Sequence, residues 1–262
     1  MTVTSTSPAI PASTPPLFAR SLGDLARSIP GATALFRQAG LDFCCGGQQR
    51  LADAVAERGL DAATLDSALQ ALIAQPAADV RDWREASVDE LIDHLLERYH
   101  LRHREQLPEL IRLAQRVESV HGDRSDCPRG LADHLTAMQR NLDSHMEKEE
   151  QVLFPLLRYG SPSFVLEPIA VMRREHDDHG QALARLLALT DQLRTPADAC
   201  TTWRALYTGL RALRDDLMEH IHLENNLLFE DAGVAARLAK AQSASRGGCG
   251  GGCCGGCGGD MG

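Results

Sequence analysis

Between residues 88 and 231 apolar side chains recur at helical spacing, and in four stretches histidine or glutamate interrupts the recurrence. One stretch runs Leu131, Leu135, Met138, Leu142, then Val152 and Leu156, with His145 and Glu149 in the same stripe. Another runs Leu206, Leu210, Leu213, Leu217, then Leu227, with His220 and Glu224 in it. The two patterns are offset by 75 residues. A second pair, Leu96, His100, His103, Leu107, Leu110 and Ile169, Met172, His176, His179, Leu183, Leu186, is offset by 76. Steps of three and four build a helix face that packs into a bundle core. Short breaks between long helices make neighbours antiparallel, so the stretch reads as a four-helix bundle of two hairpins related by a pseudo-two-fold axis.

Polar groups at one height of such a core need partners. An ionised carboxylate inside a core is very costly, and even a neutral polar group without a partner costs roughly 2–7 kcal/mol. A single histidine in an apolar stripe is ordinarily a hydrogen-bonded core residue. Four stripes carrying histidine at matched positions, two with glutamate one turn later, point instead to metal. Side chains at i and i+4 share a helix face, so His145 with Glu149 grips one site and His220 with Glu224 another. Closed zinc sites favour four Cys and His ligands on one ion. Two carboxylates with four imidazoles suit a two-metal centre with Glu149 and Glu224 as bridges. The stripes lack the glutamate-rich donor set that ferritin-like bundles build with Glu-x-x-His motifs. A histidine-rich bundle centre therefore predicts a hemerythrin-like, non-haem di-iron site.

The bundle helices are expected near 88–119, 129–158, 164–193 and 199–230, the first opened by a capping box at Ser87 and Glu90. Pro108 should kink the first helix, and Pro168 fits only where the third helix begins or bends. Upstream, residues 17–75 read as a small all-α domain, with helices over Leu22–Ser28, Ala32–Ala39, Gln48–Arg58 and Ala62–Ala74. Glycines 40 and 59 serve as helix stops. Residues 76–87 read as a linker. Residues 1–16, rich in Pro, Ser and Thr, are expected to be disordered. Residues 240–262 form a Gly/Cys-rich flexible tail with Cys249, Cys253, Cys254 and Cys257.

Composition removes other classes. The 262 residues carry a formal net charge of −9 with only 4% aromatics, so neither a basic face nor base-stacking platforms for nucleic acid are expected. No window approaches a membrane span, and the first residues lack the features of a secretory signal. The expected compartment is the cytoplasm, where eight cysteines suggest metal or redox chemistry before disulfides.

From about Leu17 to Phe229 the sequence resembles the repair-of-iron-centres family of the YtfE/ScdA type. The resemblance is carried by Ser28-Ile29-Pro30, Cys44-Cys45-Gly46-Gly47, Arg98-Tyr99-His100, and the run Arg102 to Pro108. It extends through His145-x-x-x-Glu149-Glu150, Glu175-His176-Asp177 and His220-x-x-x-Glu224-Asn225-Asn226. The resemblance implies di-iron ligands at His100, His145, Glu149, His176, His220 and Glu224, with an oxo or hydroxo group completing the bridge. It implies a cytoplasmic homodimer that repairs iron–sulfur clusters damaged by nitric oxide or hydrogen peroxide, by supplying iron to the damaged proteins. His103 and His179 are expected beside the ligands or lining a channel, and His94, His121, His134 and His222 are expected not to ligate. Glu175 is a candidate for gating access or relaying protons.

Cys44 and Cys45 precede two glycines and an expected helix, where a thiol can have a lowered pKa. They are expected to be an exposed pair that handles iron, nitric oxide or a disulfide with a partner; the alternative is two inert thiols. Cys127 and Cys200 receive no role. The tail departs from the family pattern; accessory iron or thiol binding is the expectation for it, and the alternative is a low-complexity tail with no fixed function. Two other functions compete with iron supply: reduction of nitric oxide to nitrous oxide at the diferrous centre, and hemerythrin-like sensing of oxygen or nitric oxide.

Overall fold

The computed structural model describes residues 17–74, 81–159 and 164–230. The expectations for residues 1–16, for the tail at 240–262 and for part of the 76–87 linker lie outside the described residues.

The first unit is small and helical. A 3-10 turn (Leu17–Ala19) is followed by α1 (Leu22–Ser28), α2 (Ala32–Ala39), α3 (Leu51–Arg58) and α4 (Ala62–Ala74). The Ser21 hydroxyl caps α1 by accepting the Asp24 N–H at 3.2 Å. α2 and α3 each end on a left-handed glycine, Gly40 and Gly59, as the sequence indicates. Leu22, Leu25, Phe36, Phe43, Leu51 and Leu69 are fully buried in its core. α3 begins at Leu51, three residues later than expected, which leaves Cys44 and Cys45 in a loop away from any helix N-terminus.

The second unit is the bundle. Its first rod comprises α5 (Val88–His94), a π-helical turn (Leu95–His100) and α6 (Leu101–His121). The second comprises α7 (Leu131–Lys148), a π turn (Glu149–Leu153) and α8 (Phe154–Tyr159). The third is α9 (Leu166–Leu189), and the fourth is α10 (Thr201–Leu223) with a terminal π turn (Glu224–Leu228). α6 packs on α7 and α10, and α7 packs on α9. The helix continues through Pro108. Pro168 lies in the first turn of α9, where its missing N–H has no helical partner to lose.

The π turns revise the expected core. A π turn inserts one residue into an α-helix, so every side chain beyond it moves to a new face. Val152 and Leu156, expected in the stripe, are exposed and half-buried, while Leu153, Phe154 and Leu157 are buried. In the first rod Leu95, rather than Leu96, is fully buried. The polar layer then divides the bundle interior in two. One apolar cluster contains Leu107, Leu142, Leu183 and Leu217 and continues into the small unit. The other contains Leu95, Leu153, Met172 and Leu227.

The small unit docks on the fourth rod. α1 packs against the π turn Glu224–Leu228. Asn226 Nδ2 donates to the Phe43 carbonyl at 3.1 Å, and the Arg37 guanidinium donates to Glu219 Oε2 at 2.8 Å. Contact is close enough that a Cβ at Gly23 would press on the Asn226 amide and lie 3.1 Å from the Gly47 carbonyl, which favours glycine there.

Candidate metal centre

Six side chains from all four rods meet between the two apolar clusters. His100, Glu149, His220 and Glu224 place ligand atoms within 4.8 Å of one another, and so do His145, Glu149, His176 and Glu224. All six are buried. Both glutamates belong to both groups, and their oxygens divide accordingly. Glu149 directs Oε1 to His145 Nε2 at 3.3 Å and Oε2 to His100 Nε2 at 3.4 Å. Glu224 directs Oε1 to His220 Nε2 at 3.1 Å and Oε2 to His176 Nε2 at 3.0 Å. Each carboxylate therefore spans two histidine pairs, His100 with His220 and His145 with His176.

The π turns help set this register. Glu149 and Glu224 open two of them and His100 closes the third. π turns concentrate at functional sites because they break a helix's regular side-chain spacing.

The imidazoles are oriented from behind. His100 Nδ1–H donates to Glu150 Oε1 at 2.8 Å, and Glu150 in turn accepts from Arg104 at 2.7 Å. His145 Nδ1–H donates to Glu175 Oε2 at 2.9 Å, and Glu175 accepts from Lys148 at 2.5 Å. His176 Nδ1–H donates to Asn225 Oδ1 at 2.9 Å. The orientation of that amide is fixed on its other side, where Nδ2 donates to the Cys44 carbonyl at 3.0 Å. Protons on Nδ1 leave the Nε2 lone pairs of these three rings aimed inward, the arrangement that metal-ligating histidines use. His220 has no such partner. Its Nδ1 is buried without a hydrogen bond, and the Tyr99 ring stacks on it at 5.5 Å.

This donor set fits cations. His145 Nε2 and His176 Nε2 face each other at 3.1 Å. Two lone pairs at that separation repel unless a proton or a metal lies among them. Both oxygens of Glu149 and Oε2 of Glu224 are buried without an aligned hydrogen bond, as is His100 Nε2. A buried group left this way is costly, and divalent cations would satisfy all of these atoms together. In the metal-free protein a proton takes part of that role. Burial opposes charge on His145, but Glu149, Glu175 and Glu224 outweigh it and raise the imidazole to about 10. Its partner Glu175 is held down at about 2, first by the His145 hydrogen bond and further by Lys148.

The remaining expectations divide. His103 and His179 are buried and belong to neither group; their rings lie 5.4 Å from His220 and 4.9 Å from His145. Burial first, and neighbouring imidazoles next, push His103 well down and His179 down to about 3, so both are neutral. His179 and Glu175 line a pocket of about 240 Å³ with Asn141, Ser144, Lys148 and Asp178. His94 stacks on Trp83, His121 contacts Cys200, His134 meets the Ala182 carbonyl and His222 meets Asn226.

Cys44 and Cys45 are not the exposed pair that was expected. Cys44 is buried and Cys45 half-buried, with Sγ atoms 3.7 Å apart. Contact with Cys45, then burial and then Asp42 push the Cys44 thiol up, opposite to the expected lowering. The Cys45 thiol donates to the His176 carbonyl at 3.1 Å, which ties the loop to the centre. Glu150 and Asn225 received no role from the sequence. The available signal was their position, each directly after a bridging-type glutamate and 75 residues apart.

Comparison with known proteins agrees with this architecture. The hemerythrin HHE cation binding domain family matches residues 91–232, and ScdA_N, a domain of unknown function, matches residues 19–73. An iron-sulfur cluster repair protein YtfE of Dickeya chrysanthemi is 54% identical over 213 residues, covering 81% of this chain and 96% of that protein. The protein of the same name from Pectobacterium atrosepticum is 52% identical over 213 residues, with the same coverage. That of Escherichia coli O81 is 51% identical over 211 residues, covering 80% of this chain and 95% of the relative. The all-α, hemerythrin-like bundle with its small N-terminal helical unit and the motif resemblance both hold, and the chain belongs to the YtfE family of iron–sulfur cluster repair proteins.

Proposed function

We propose that this chain is a di-iron protein that repairs iron–sulfur clusters damaged by nitrosative or oxidative stress, by supplying iron to them. The observation that carries the reading is the division of oxygens on Glu149 and Glu224, one toward each histidine pair. His100 and His220 would hold one iron and His145 and His176 the other, with both carboxylates shared. Bound there, the two irons would supply a reducible and exchangeable metal pair. The chain's own residues do the rest. Glu150, Glu175 and Asn225 keep protons on the outer nitrogens of three rings. The two apolar clusters keep bulk water from the carboxylates. Glu175 joins His145 to the pocket beside His179, which supports its role in gating or proton relay.

The same proposal takes damaged iron–sulfur proteins as partners, nitric oxide or oxygen as small ligands, and a homodimer in the cytoplasm as the working form. Among the described residues no helix is long and apolar enough to cross a membrane. A small thiol-bearing domain over 17–75, a linker over 76–87 and the bundle over 88–231 complete this reading.

Elemental analysis and an optical spectrum of aerobically purified protein test it, alongside a Glu149→Ala/Glu224→Ala double variant. The expected result is about two irons per chain, with the near-ultraviolet absorption of an oxo bridge, both lost in the variant. Iron should then pass to a protein with a damaged cluster and restore it. One metal, zinc, or none after anaerobic reconstitution would overturn the centre. Nitrous oxide in excess of one per centre under excess reductant would move the reading to nitric oxide reduction.

A further inference from the structure

The loop between α2 and α3 gathers a second donor set that the buried centre does not use. Asp42 Oδ1, Cys44 Sγ and Cys45 Sγ lie within 4.8 Å of one another. The two sulfurs are 3.7 Å apart, and Cys44 Sγ lies 3.3 Å from Asp42 Oδ1. Around a tetrahedral ion with metal–sulfur bonds of about 2.3 Å and metal–oxygen bonds of about 2.0 Å, the sulfur–sulfur edge is about 3.8 Å and the sulfur–oxygen edge about 3.5 Å. These two edges are therefore close to those of a metal tetrahedron, and the third, between Cys45 and Asp42, is within 4.8 Å. Adjacent cysteines direct both sulfurs to one side because the loop is held at each end. The Cys44 and Cys45 N–H groups donate to Asp42 Oδ1 at 3.2 and 2.9 Å, and Asn225 and Asn226 grip the Cys44 and Phe43 carbonyls from the bundle. Gly180 on α9 makes room for the thiol, since a Cβ there would lie 3.1 Å from Cys45 Sγ.

Two of the three donor residues border open space. Asp42 and Cys44 line a pocket of about 420 Å³ between the small unit and the bundle, with Arg37, Leu41, Arg58 and Leu183 among its walls. The Cys45 thiol, which does not line that pocket, contacts the backbone of His176, whose ring belongs to the buried centre.

We propose that Asp42, Cys44 and Cys45 form a third metal site, open to this pocket, that takes one thiophilic divalent cation. As the cation binds, each of the two thiols loses its proton to solvent, and an oxygen of Asp42 supplies the third donor. Two thiolates and one carboxylate suit ferrous iron or zinc over magnesium or calcium. The site's use, as the station where iron leaves the buried centre for a client, rests on the iron-supply reading; its existence does not.

Anaerobic titration with cobalt(II) tests the site in the full chain, with the centre first loaded with iron and Cys249, Cys253, Cys254 and Cys257 replaced by serine. The expected result is one cobalt per chain with the visible bands of four-coordinate, thiolate-bound cobalt. Cys44→Ser and Cys45→Ser should each abolish those bands, and Asp42→Asn should weaken binding about tenfold or more, the scale of losing a group that holds a metal. Iron content should stay at two in every variant. Absence of the bands, their persistence in both serine variants, or unchanged affinity in Asp42→Asn would overturn the site. Cobalt bound at the thiols of a chain that holds no iron would leave this site standing and remove the iron-supply reading.

Discussion

Glu150 and Asn225 stand 75 residues apart and hold two histidines in the same way. Glu150 accepts the Nδ1–H of His100 and Asn225 accepts that of His176, at 2.8 and 2.9 Å. The pseudo-two-fold relation between the hairpins thus extends to the groups behind the ligands, but the charge differs. The anionic partner faces Arg104, whereas the amide spends its second hydrogen-bonding group on the Cys44 carbonyl. The Asn225 side chain thus hydrogen-bonds to both a candidate ligand and the cysteine loop.

Replacing Asn225 with alanine should therefore lower metal affinity by about 10–100-fold, the usual effect of removing a group that orients a ligating histidine. Asn225→Asp keeps the acceptor for His176 and loses the donor to Cys44, so it should retain metal much better. Competition with a chelator, followed by optical loss of the iron spectrum, measures both. Equal release from wild type and Asn225→Ala would show that His176 is oriented by other means.

Metal removal should destabilise the bundle. Without cations, Glu149 and Glu224 remain buried with oxygens that lack aligned hydrogen bonds. Linkage gives about 4 kcal/mol when free metal is 1,000 times its dissociation constant. For a domain of this size that corresponds to a rise in melting temperature of roughly 10 °C. Thermal unfolding in ferrous iron and in chelator, without oxygen, should show this difference in wild type and not in Glu149→Gln/Glu224→Gln. A melting temperature independent of iron in wild type would contradict the fit of the site.

The start of the first rod carries a pH-dependent contribution away from the metal. Glu90 accepts the Ser87 N–H and the Ser87 hydroxyl, both at 2.9 Å, and an ion pair from Arg81. The backbone hydrogen bond first, then the hydroxyl and Arg81, lower its pKa from 4.5 to about 2. A folded pKa below the unfolded one means that this contribution is complete above about pH 4.5 and is lost as pH falls toward 2. The urea midpoints of wild type and Glu90→Gln should accordingly converge between pH 5 and pH 2. Ser87→Ala should cost about 1 kcal/mol at neutral pH through loss of the cap. A gap between wild type and Glu90→Gln that is constant with pH would exclude the carboxylate's part in the box.

Much of this organisation was legible in the sequence because it rests on spacing. The breaks near Gly122, Gly160 and Pro196, the left-handed glycines after α2 and α3, and the histidine and glutamate stripe are all periodic or local signals. What was not legible depends on tertiary packing. The docking of the cysteine loop on α9 and α10 buries thiols that sequence context alone placed at the surface. The roles of Glu150 and Asn225 depend on which imidazoles come within 3 Å of them across the bundle. The π turns were missed for a different reason. A one-residue insertion leaves hydrophobic residues on either side of the old stripe, and Val152 and Leu156 continue the three-and-four pattern whereas Leu153 and Leu157 follow at steps of four.

That ambiguity gives a direct test of register. In the structure Leu153 and Leu157 are 1% exposed, whereas Val152 is 50% exposed. An uninterrupted α-helix from Glu149 would bring Val152 and Leu156 into the positions that Leu153 and Leu157 occupy, since one residue of offset turns a side chain by about 100°. Leu153→Ala and Leu157→Ala should each cost about 2–5 kcal/mol, as cavity-forming substitutions in a packed core do. Val152→Ala should stay within about 0.5 kcal/mol, as expected of an exposed position. Leu156→Ala, at a half-buried position, should fall between them. Urea unfolding of the four variants, each loaded with the same metal, separates the two registers. A larger loss for Val152→Ala than for Leu153→Ala would remove the π turn at Glu149–Leu153, and with it the account of how Glu149 opens the second helix's approach to the metal layer.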